Sequence, residues 1–389
     1  MTIRCDCVCL RDGGRDVLRA LSLDIPSGSP LVIVGPAGAG KSALFKALAG
    51  EVRPHAGRMH IHGREVLLDG ERSSQVSLVT PQSTNYPGFS VWGNIAVPLR
   101  LSQAKRVEEQ VIMLAHDVGL GDCLDLRPDE LSRQGRRRLV LARAMASRPA
   151  LLLLDDPLGG LSDMEAGLFL NDLPAICAAA WQYGIATVLA SRSSTVALAF
   201  GGPTVVMAQG RWLQQEAHAI DVLMRPVSLN VARVFGDPPI NLLRAALLNH
   251  TVLIDQGPSV PLIAPLSLEE SSVLVGIRPE DLRLQGGLGD MMLPARVERI
   301  SCSVNGTRLE CRGRVGPLIV AVPSLFRPSP GETITLYVDP GALYLFDGAG
   351  TLVQRPERAL ERASRNLPQR EVGRDEQDAV DDTTIFALR

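Results

Sequence analysis

Aromatic residues are scarce in this chain, at 4% of 389 residues. An excess of charge of one sign is also missing. Acidic and basic residues nearly balance at a formal net charge of -2, which removes the basic field that would draw a nucleic acid, so no nucleic-acid partner is expected. Cysteines are few, odd in number and scattered, seven in all, and the opening residues show no charged n-region followed by an apolar h-region. That argues against a secreted disulfide framework and for a reducing cytoplasm. The one uncharged stretch long enough to cross a bilayer, Leu173 to Ser191, contains Pro174, Gln182 and Gly184 and is richer in Ala than in Leu. It reads as a helix ending near Tyr183 and then a buried strand, Ile185 to Ala190. Internal repeats and low-complexity blocks are absent as well.

The length suits two domains and a tail. Up to residue 217, short apolar runs alternate with helical patterns, the habit of a parallel sheet covered by helices. Leu31 to Val34 and Leu151 to Leu154 are continuously apolar, as strands buried on both faces are. Val107, Val111, Leu114 and Val118 fall on one helical face. Residues 218–240 form a connector. Residues 241–352 change to short alternating segments such as Val273 to Ile277 and Thr333 to Val338, which predict a small β domain. Residues 353–389 are charged and poor in aromatics, a mobile tail by composition.

The sharpest motif is Gly35-Pro36-Ala37-Gly38-Ala39-Gly40-Lys41-Ser42, set between the strand Leu31 to Val34 and the helical run Ala43 to Ala49. This is the P-loop pattern in its required context. Glycines let amides from Gly35 through Ala43 close around phosphate oxygens, the helix N-terminus adds partial positive charge, Lys41 reaches the β and γ phosphates, and Ser42 ligates magnesium. A carboxylate ending the buried strand Leu151 to Leu154 supplies the second half. Asp155 is placed to hold that magnesium, although the Asp155-Asp156-Pro157 run read alone is also an ordinary turn.

Gln82 lies within Val79-Thr-Pro-Gln-Ser-Thr-Asn-Tyr-Pro-Gly-Phe-Ser-Val-Trp-Gly-Asn-Ile95, which resembles the Q-loop and the following stretch of ABC importer ATPases. Leu131-Ser132 followed by Arg138 and Ala142-Arg143-Ala144 resembles their signature helix, with Asp155-Asp156-Pro157-Leu158 at the expected distance behind it. Val275-Gly-Ile-Arg-Pro-Glu-Asp-Leu282 looks like the TOBE domain of sugar-importer ATPases, and the Asn-Tyr-Pro and Asp-Pro-Pro segments look most like the paired ATPases of glycerol-type importers. The resemblance implies an α/β P-loop NTPase domain of ABC type followed by a small all-β, OB-like TOBE domain and a polar tail. It also implies ATP and Mg2+ as ligands, with Ser42, Gln82 and Asp155 around the metal, and Ser132 reaching the nucleotide of a second ABC ATPase. The implied setting is peripheral, at the cytoplasmic face of the inner membrane, bound to transmembrane permease subunits that a periplasmic solute-binding protein feeds. Tyr86, Phe89 and Trp92 lie where such subunits receive a short helix from the permeases.

The sequence departs from that family at its catalytic positions. Arg133 and Gln134 stand where the signature has glycines. Asp156 replaces the glutamate that polarises the attacking water, one methylene short of its reach. Arg192 stands nearest the place of a histidine that contacts the γ-phosphate, and two readings of it remain, a phosphate partner or an ordinary surface arginine. The aromatic that stacks on adenine is missing near Asp12, and Ser162 replaces an aspartate. These losses suggest the degenerate half of a heterodimeric ATPase. The rival is a nucleotide-binding regulator that does not hydrolyse. Elsewhere, Cys5, Cys7 and Cys9 alternate as if on one buried face of a strand, His60 and His62 read as a solvated face, and the run Arg136 to Arg138 as exposed charge with one structural salt bridge.

Overall fold

The computed structural model describes residues 3–25, 29–61, 64–65, 75–248, 250–261, 272–303 and 306–356. Strands β1 (Ile3–Asp12) and β2 (Arg15–Ile25) form a hairpin, joined on the other side of β1 by β4 (Ala56–Ile61) and then β5 (Arg64–Glu65). This antiparallel sheet was not legible beforehand. A second sheet takes β3 (Leu31–Val34), β6 (Val76–Val79), β7 (Leu151–Asp155), β8 (Ala186–Ser191), β9 (Pro203–Ala208) and β10 (Arg211–His218) in the order β10-β9-β3-β8-β7-β6. It is parallel from β9 to β6, as expected, with β10 antiparallel at one edge.

Period two in β3 divides the interior. Leu31 and Ile33 point into a core with Phe45, Leu48, Val8 and Leu21, so helix α1 (Lys41–Leu48) lies between the two sheets. Val32 and Val34 point the other way, into a core with Leu139, Leu154 and Phe169. That face is covered by α2 (Val91–Leu101), α3 (Val107–Asp117), α4 (Arg133–Ala146), α5 (Asp163–Gln182) and α6 (Ser194–Phe200). The apolar face predicted around Val107 is in place, with Val111, Leu114 and Val118 buried. The uncharged stretch divides as expected into the end of α5 and β8, and among the described residues no helix is long and apolar enough to cross a membrane.

Short helices α7 (Ala219–Met224) and α8 (Leu229–Val234) lead into the β region. There β11 (Asn241–Leu248), β12 (Thr251–Ile254), β13 (Ser259–Pro261), β14 (Ser272–Ile277), β19 (Tyr344–Phe346) and β20 (Leu352–Gln354) make one sheet. A second contains β15 (Met291–Ser303), β16 (Gly306–Gly313), β17 (Gly316–Val322) and β18 (Thr333–Val338). From Met291 to Glu298, β15 alternates buried and exposed residues, and its inward side chains share one core with Val275, Leu309 and Leu336. β20 carries regular structure past residue 352, and the rest of the tail beyond residue 356 lies outside the described residues.

Arg278 joins the two parts. It is 3% exposed and donates to the main-chain carbonyls of Leu223, Ala232 and Phe235, each at 3.1 Å. These carbonyls belong to the end of α7, to α8 and to the residue capping α8, where a cation also meets the negative ends of the helix dipoles. The Tyr344 ring lies 5.4 Å from the guanidinium, and its hydroxyl donates to the Leu223 carbonyl at 3.1 Å.

The three N-terminal cysteines do not share a face, contrary to the expectation from their spacing. Cys5 is buried, Cys7 exposed and Cys9 intermediate. β1 shifts register between Cys5 and Val8 and again before Leu10, with Cys7 at φ 48, so the alternation breaks at a bulge.

Candidate functional site

Strands β3, β8 and β7 end together, with Val34 level with Ser191 and Asp155 level with Ala190. The loops that follow them open onto one edge, the usual position for a ligand crevice in a parallel sheet. Gly35 donates its N–H to the Ser191 carbonyl at 3.1 Å, and a Cβ here would collide with the Met207 carbonyl. Gly40 holds φ 107 against Leu18 and Met207 as the N-cap of α1, with no side-chain cap, so the first-turn amides of that helix remain available to an anion. The stretch Gly35, Pro36, Ala37, Gly38, Ala39, Gly40 therefore wraps the start of the helix that bears Lys41, Ser42 and Ala43.

Lys41 is 7% exposed, and its ammonium donates to the carbonyls of Gly35 at 2.6 Å and Pro36 at 2.9 Å. Burial pushes its pKa down, against the opposing pull of Asp155 and Asp156. Asp155 ends β7, where burial raises its carboxyl above the usual range and a hydrogen bond from Ser42 partly offsets this. A half-buried carboxylate whose charge is penalised, joined to a hydroxyl oxygen, is a hard-oxygen donor pair that a magnesium ion would relieve. Among the described residues no group of three His, Cys, Asp or Glu forms a cation cage.

Asp156 follows at φ 48, its N–H bonded to the Ala190 carbonyl at 2.9 Å and its own carbonyl accepting from Gly159 at 2.8 Å. Arg192, just past β8, donates from Nη2 to the Asp156 carboxylate at 3.1 Å. Two of the positions at which the sequence departs from the family pattern thus engage each other. Gln82 is exposed in the turn after β6 and makes no hydrogen bond among the described residues.

Ser132 stands apart from this edge. It is the N-cap of α4 and accepts the Gly135 N–H at 3.0 Å. Of the two side chains at glycine positions, Gln134 turns back to the Glu165 carbonyl at 2.8 Å, while Arg133 is exposed. Ser162 forms a capping box with Glu165 at the start of α5, a structural use for the residue that replaces aspartate. Arg138 pairs with Asp172, the structural salt bridge foreseen in the arginine run, but Arg136, Arg137 and Arg138 are half-buried and not the exposed charge expected.

Two contributors escaped sequence reading. Arg137, half-buried, donates to the Gly159 carbonyl at 2.6 Å and the Thr80 carbonyl at 3.3 Å, so α4 is tied both to the loop behind Asp156 and to the turn carrying Gln82. Its place inside a charged run hid it. Asn94, fully buried, accepts from the Tyr86 N–H at 2.7 Å and donates to the carbonyls of Tyr86, Phe89 and Ser90. It braces a loop that leaves Tyr86 and Phe89 exposed, their rings edge-on at 6.2 Å, whereas Trp92 packs against the core. Behind this loop a groove of about 390 Å³ is lined by Pro81, Asn85, Pro87, Arg133 and Arg136 among others.

Residues 18–159 match the family described as ABC transporter, and residues 275–346 match the TOBE domain. The chain is 31% identical over 344 residues to an uncharacterized ABC transporter ATP-binding protein of Sinorhizobium fredii, covering 87% of this chain and 90% of that one. It is 29% identical over 339 residues to an sn-glycerol-3-phosphate import ATP-binding protein of Paracoccus denitrificans, covering 86% and 94%. Over 356 residues it is 28% identical to an alpha-glucoside transport ATP-binding protein of Rhizobium meliloti, covering 87% and 95%. Among solved structures, CbiO1 of Clostridium perfringens, part of an ABC transporter complex, superposes with TM-score 0.50 at 20% identity over 57% of this chain and 90% of that one, a likeness of fold. With a phosphate loop, a half-buried strand-end carboxylate, a trailing β domain and a relative 31% identical over most of both chains, the chain belongs to the ATP-binding proteins of ABC transporters that carry a TOBE domain.

Proposed function

We propose that this chain energises import of a carbohydrate or polyol, glycerol-like in its backbone, as the weaker half of a heterodimeric ATPase at the cytoplasmic face of the membrane. The observation that carries the nucleotide role is the cluster of Lys41, Ser42 and Asp155 behind an uncapped helix start. Lys41 exchanges its two loop carbonyls for phosphate oxygens, Ser42 and Asp155 hold magnesium, which screens phosphate charge when bound, and Gln82 swings in from its turn. Ser132 serves the partner's nucleotide. Residues 1–217 carry out this work, 218–240 connect, and 241–352 add a subunit contact, followed by the tail from 353. The solute class is supported by two of the named relatives, one an sn-glycerol-3-phosphate import and the other an alpha-glucoside transport ATP-binding protein. Tyr86 and Phe89 are the anchors for a permease helix, as exposed aromatics on a braced loop suit.

The heterodimer is supported by Asp156, a short carboxylate already engaged by Arg192 and so poorly prepared to take a proton from water. The same contact favours a second reading, a nucleotide-binding regulator without turnover. Purified chain, alone and with its partner ATPase and permeases, separates them. Binding of labelled ATP that Lys41→Ala abolishes is expected, with turnover appearing only in the assembly. Brisk magnesium-dependent hydrolysis by the isolated chain would refute the heterodimer. Transport altered by Asp156→Glu combined with Arg192→His would mark a motor, whereas added turnover with transport unchanged would mark the regulator.

A further inference from the structure

The outer face of the second β sheet carries more arginine than its own acids can answer. On β15 and β16 the residues turned away from the shared core include Arg296, Glu298, Arg299, Arg308, Glu310 and Arg312. Both acids are taken within the sheet: Glu298 accepts from Arg312 at 2.6 Å, and Glu310 lies 3.6 Å from Arg299. Arg296 stands directly opposite Arg312, a like-charge pair that costs stability, and among the described residues its side chain bonds only to the Gly331 carbonyl, at 3.1 Å. Arg308 is level with Ser301 on one side and Ala321 on the other, so neither cross-strand neighbour offers it a carboxylate. Its Nε is closed off from solvent without a hydrogen-bond partner. Arg314, exposed in the turn after β16, forms no ion pair among the described residues either.

Charge of the missing sign lies in the same chain. Residues 375–382 hold Asp375, Glu376, Asp378, Asp381 and Asp382 and no cation, whereas residues 357–374 mix both signs. The described part of the chain ends at Pro356, just after β20 of the same β region. A linker the length of residues 357–374 spans about 23 Å as a coil and about 60 Å drawn out, and a β region of this size is about 35 Å across. The acidic segment can therefore reach either face.

We propose that residues 375–382 lie on the outer face of β15 and β16 as an intrachain clasp, with their carboxylates on Arg296, Arg308 and Arg314. Exposed ion pairs are weak one by one and are screened by salt, so the clasp works through its tether. Such a linker holds the segment at about 1 mM beside the face, and a free-peptide affinity of about 100 µM then keeps the face about nine-tenths covered. An acidic partner gains the face only by displacing the chain's own segment. Nothing in this depends on nucleotide binding.

The lysines of this chain are Lys41, Lys46 and Lys105, all outside the β region, so Arg308→Lys in the full chain places a lone amine on the face. Carbodiimide followed by peptide mass spectrometry is expected to join position 308 to a carboxylate within residues 375–382, and about 0.5 M sodium chloride should abolish the link. No link, or one to Glu310 alone, overturns the clasp. A link between labelled and unlabelled chains, when 15N-labelled and ordinary protein are mixed, would mean that the face takes a second copy, which also overturns it. A second measurement titrates a fluorescent peptide of residues 371–389 into the wild-type chain and into a full chain whose five acids in residues 375–382 are changed to their amides. The peptide should bind the amide variant about tenfold more tightly, because the competing tether is gone, and adding Arg296→Ala, Arg308→Ala and Arg314→Ala should remove that binding. Equal affinity for wild type and amide variant would show an open face and refute the proposal. Binding of the amide variant to phosphatidylglycerol vesicles but not to the peptide would assign the face to a membrane and refute it as well.

Discussion

Truncating Arg278 to alanine should uncouple the two halves of the chain. The guanidinium makes three bonds to main-chain carbonyls, each worth about 1.5–3 kcal/mol when the donor is charged. Against that stands the penalty of keeping the charge out of water, several kcal/mol for a group 3% exposed. Removing the side chain strips the carbonyls of their partner and leaves a void beside Tyr344, for a net loss of about 3–5 kcal/mol. Arg278→Lys reaches fewer of the carbonyls and should lose roughly half as much. Urea unfolding can read the result, because Trp92, Trp181 and Trp212 all precede the β region, so fluorescence follows the first part while far-UV circular dichroism follows both. The expected outcome is a lower midpoint with the two signals no longer coincident, the mark of lost cooperativity between domains. Coincident transitions with a loss under about 1 kcal/mol would show that Arg278 is not the tie and that the β domain docks by its apolar contacts.

Asp155→Asn should raise the melting temperature of the empty protein at pH 7 in magnesium-free buffer. Burial lifts the carboxyl in the folded chain, so its contribution to stability is complete below the ordinary carboxylate pKa and is lost as pH rises through the lifted value. The gain should be about 2–4 °C for each kcal/mol released and should shrink toward pH 4, and a lower melting temperature at pH 7 would contradict it. Iodoacetamide at pH 8 should label exposed Cys7 and Cys302 in the native chain but spare Cys5 and Cys177, whose thiols burial pushes up to about 12. Peptide mass spectrometry checks this, and native labelling of Cys177 at the rate of Cys7 would overturn it.

The phosphate loop and its sheet could be read in advance because each element carried several agreeing signals. β3 has four consecutive apolar residues, Gly35 and Gly40 sit where side chains would collide or strain, and Ser42 opens a helical run. The β region was visible for the same reason, since Val273 to Ile277 and Thr333 to Val338 read as short alternating segments, and both are strands. What escaped was set by the third dimension. The Cys7 bulge breaks a period that looked regular, and it shows only in the register of β1 with its hairpin partner β2 and with β4, which comes after the phosphate loop and α1. Arg137 and Asn94 are ordinary letters whose roles come from carbonyls that only the fold delivers. The engagement of Arg192 with Asp156 joins loops 36 positions apart. The sequence marked both residues as unusual, and the parallel register of β7 and β8 explains why they meet.

The two carbonyls held by Arg137 make α4 a shared spar. Because this helix begins at Ser132, any tug on its first turn is passed within the same chain to the bend bearing Gln82 and to the loop behind Asp156. News of what sits against one face of the subunit can thus reach its own opposite pocket by rigid transmission, with no change of fold along the way.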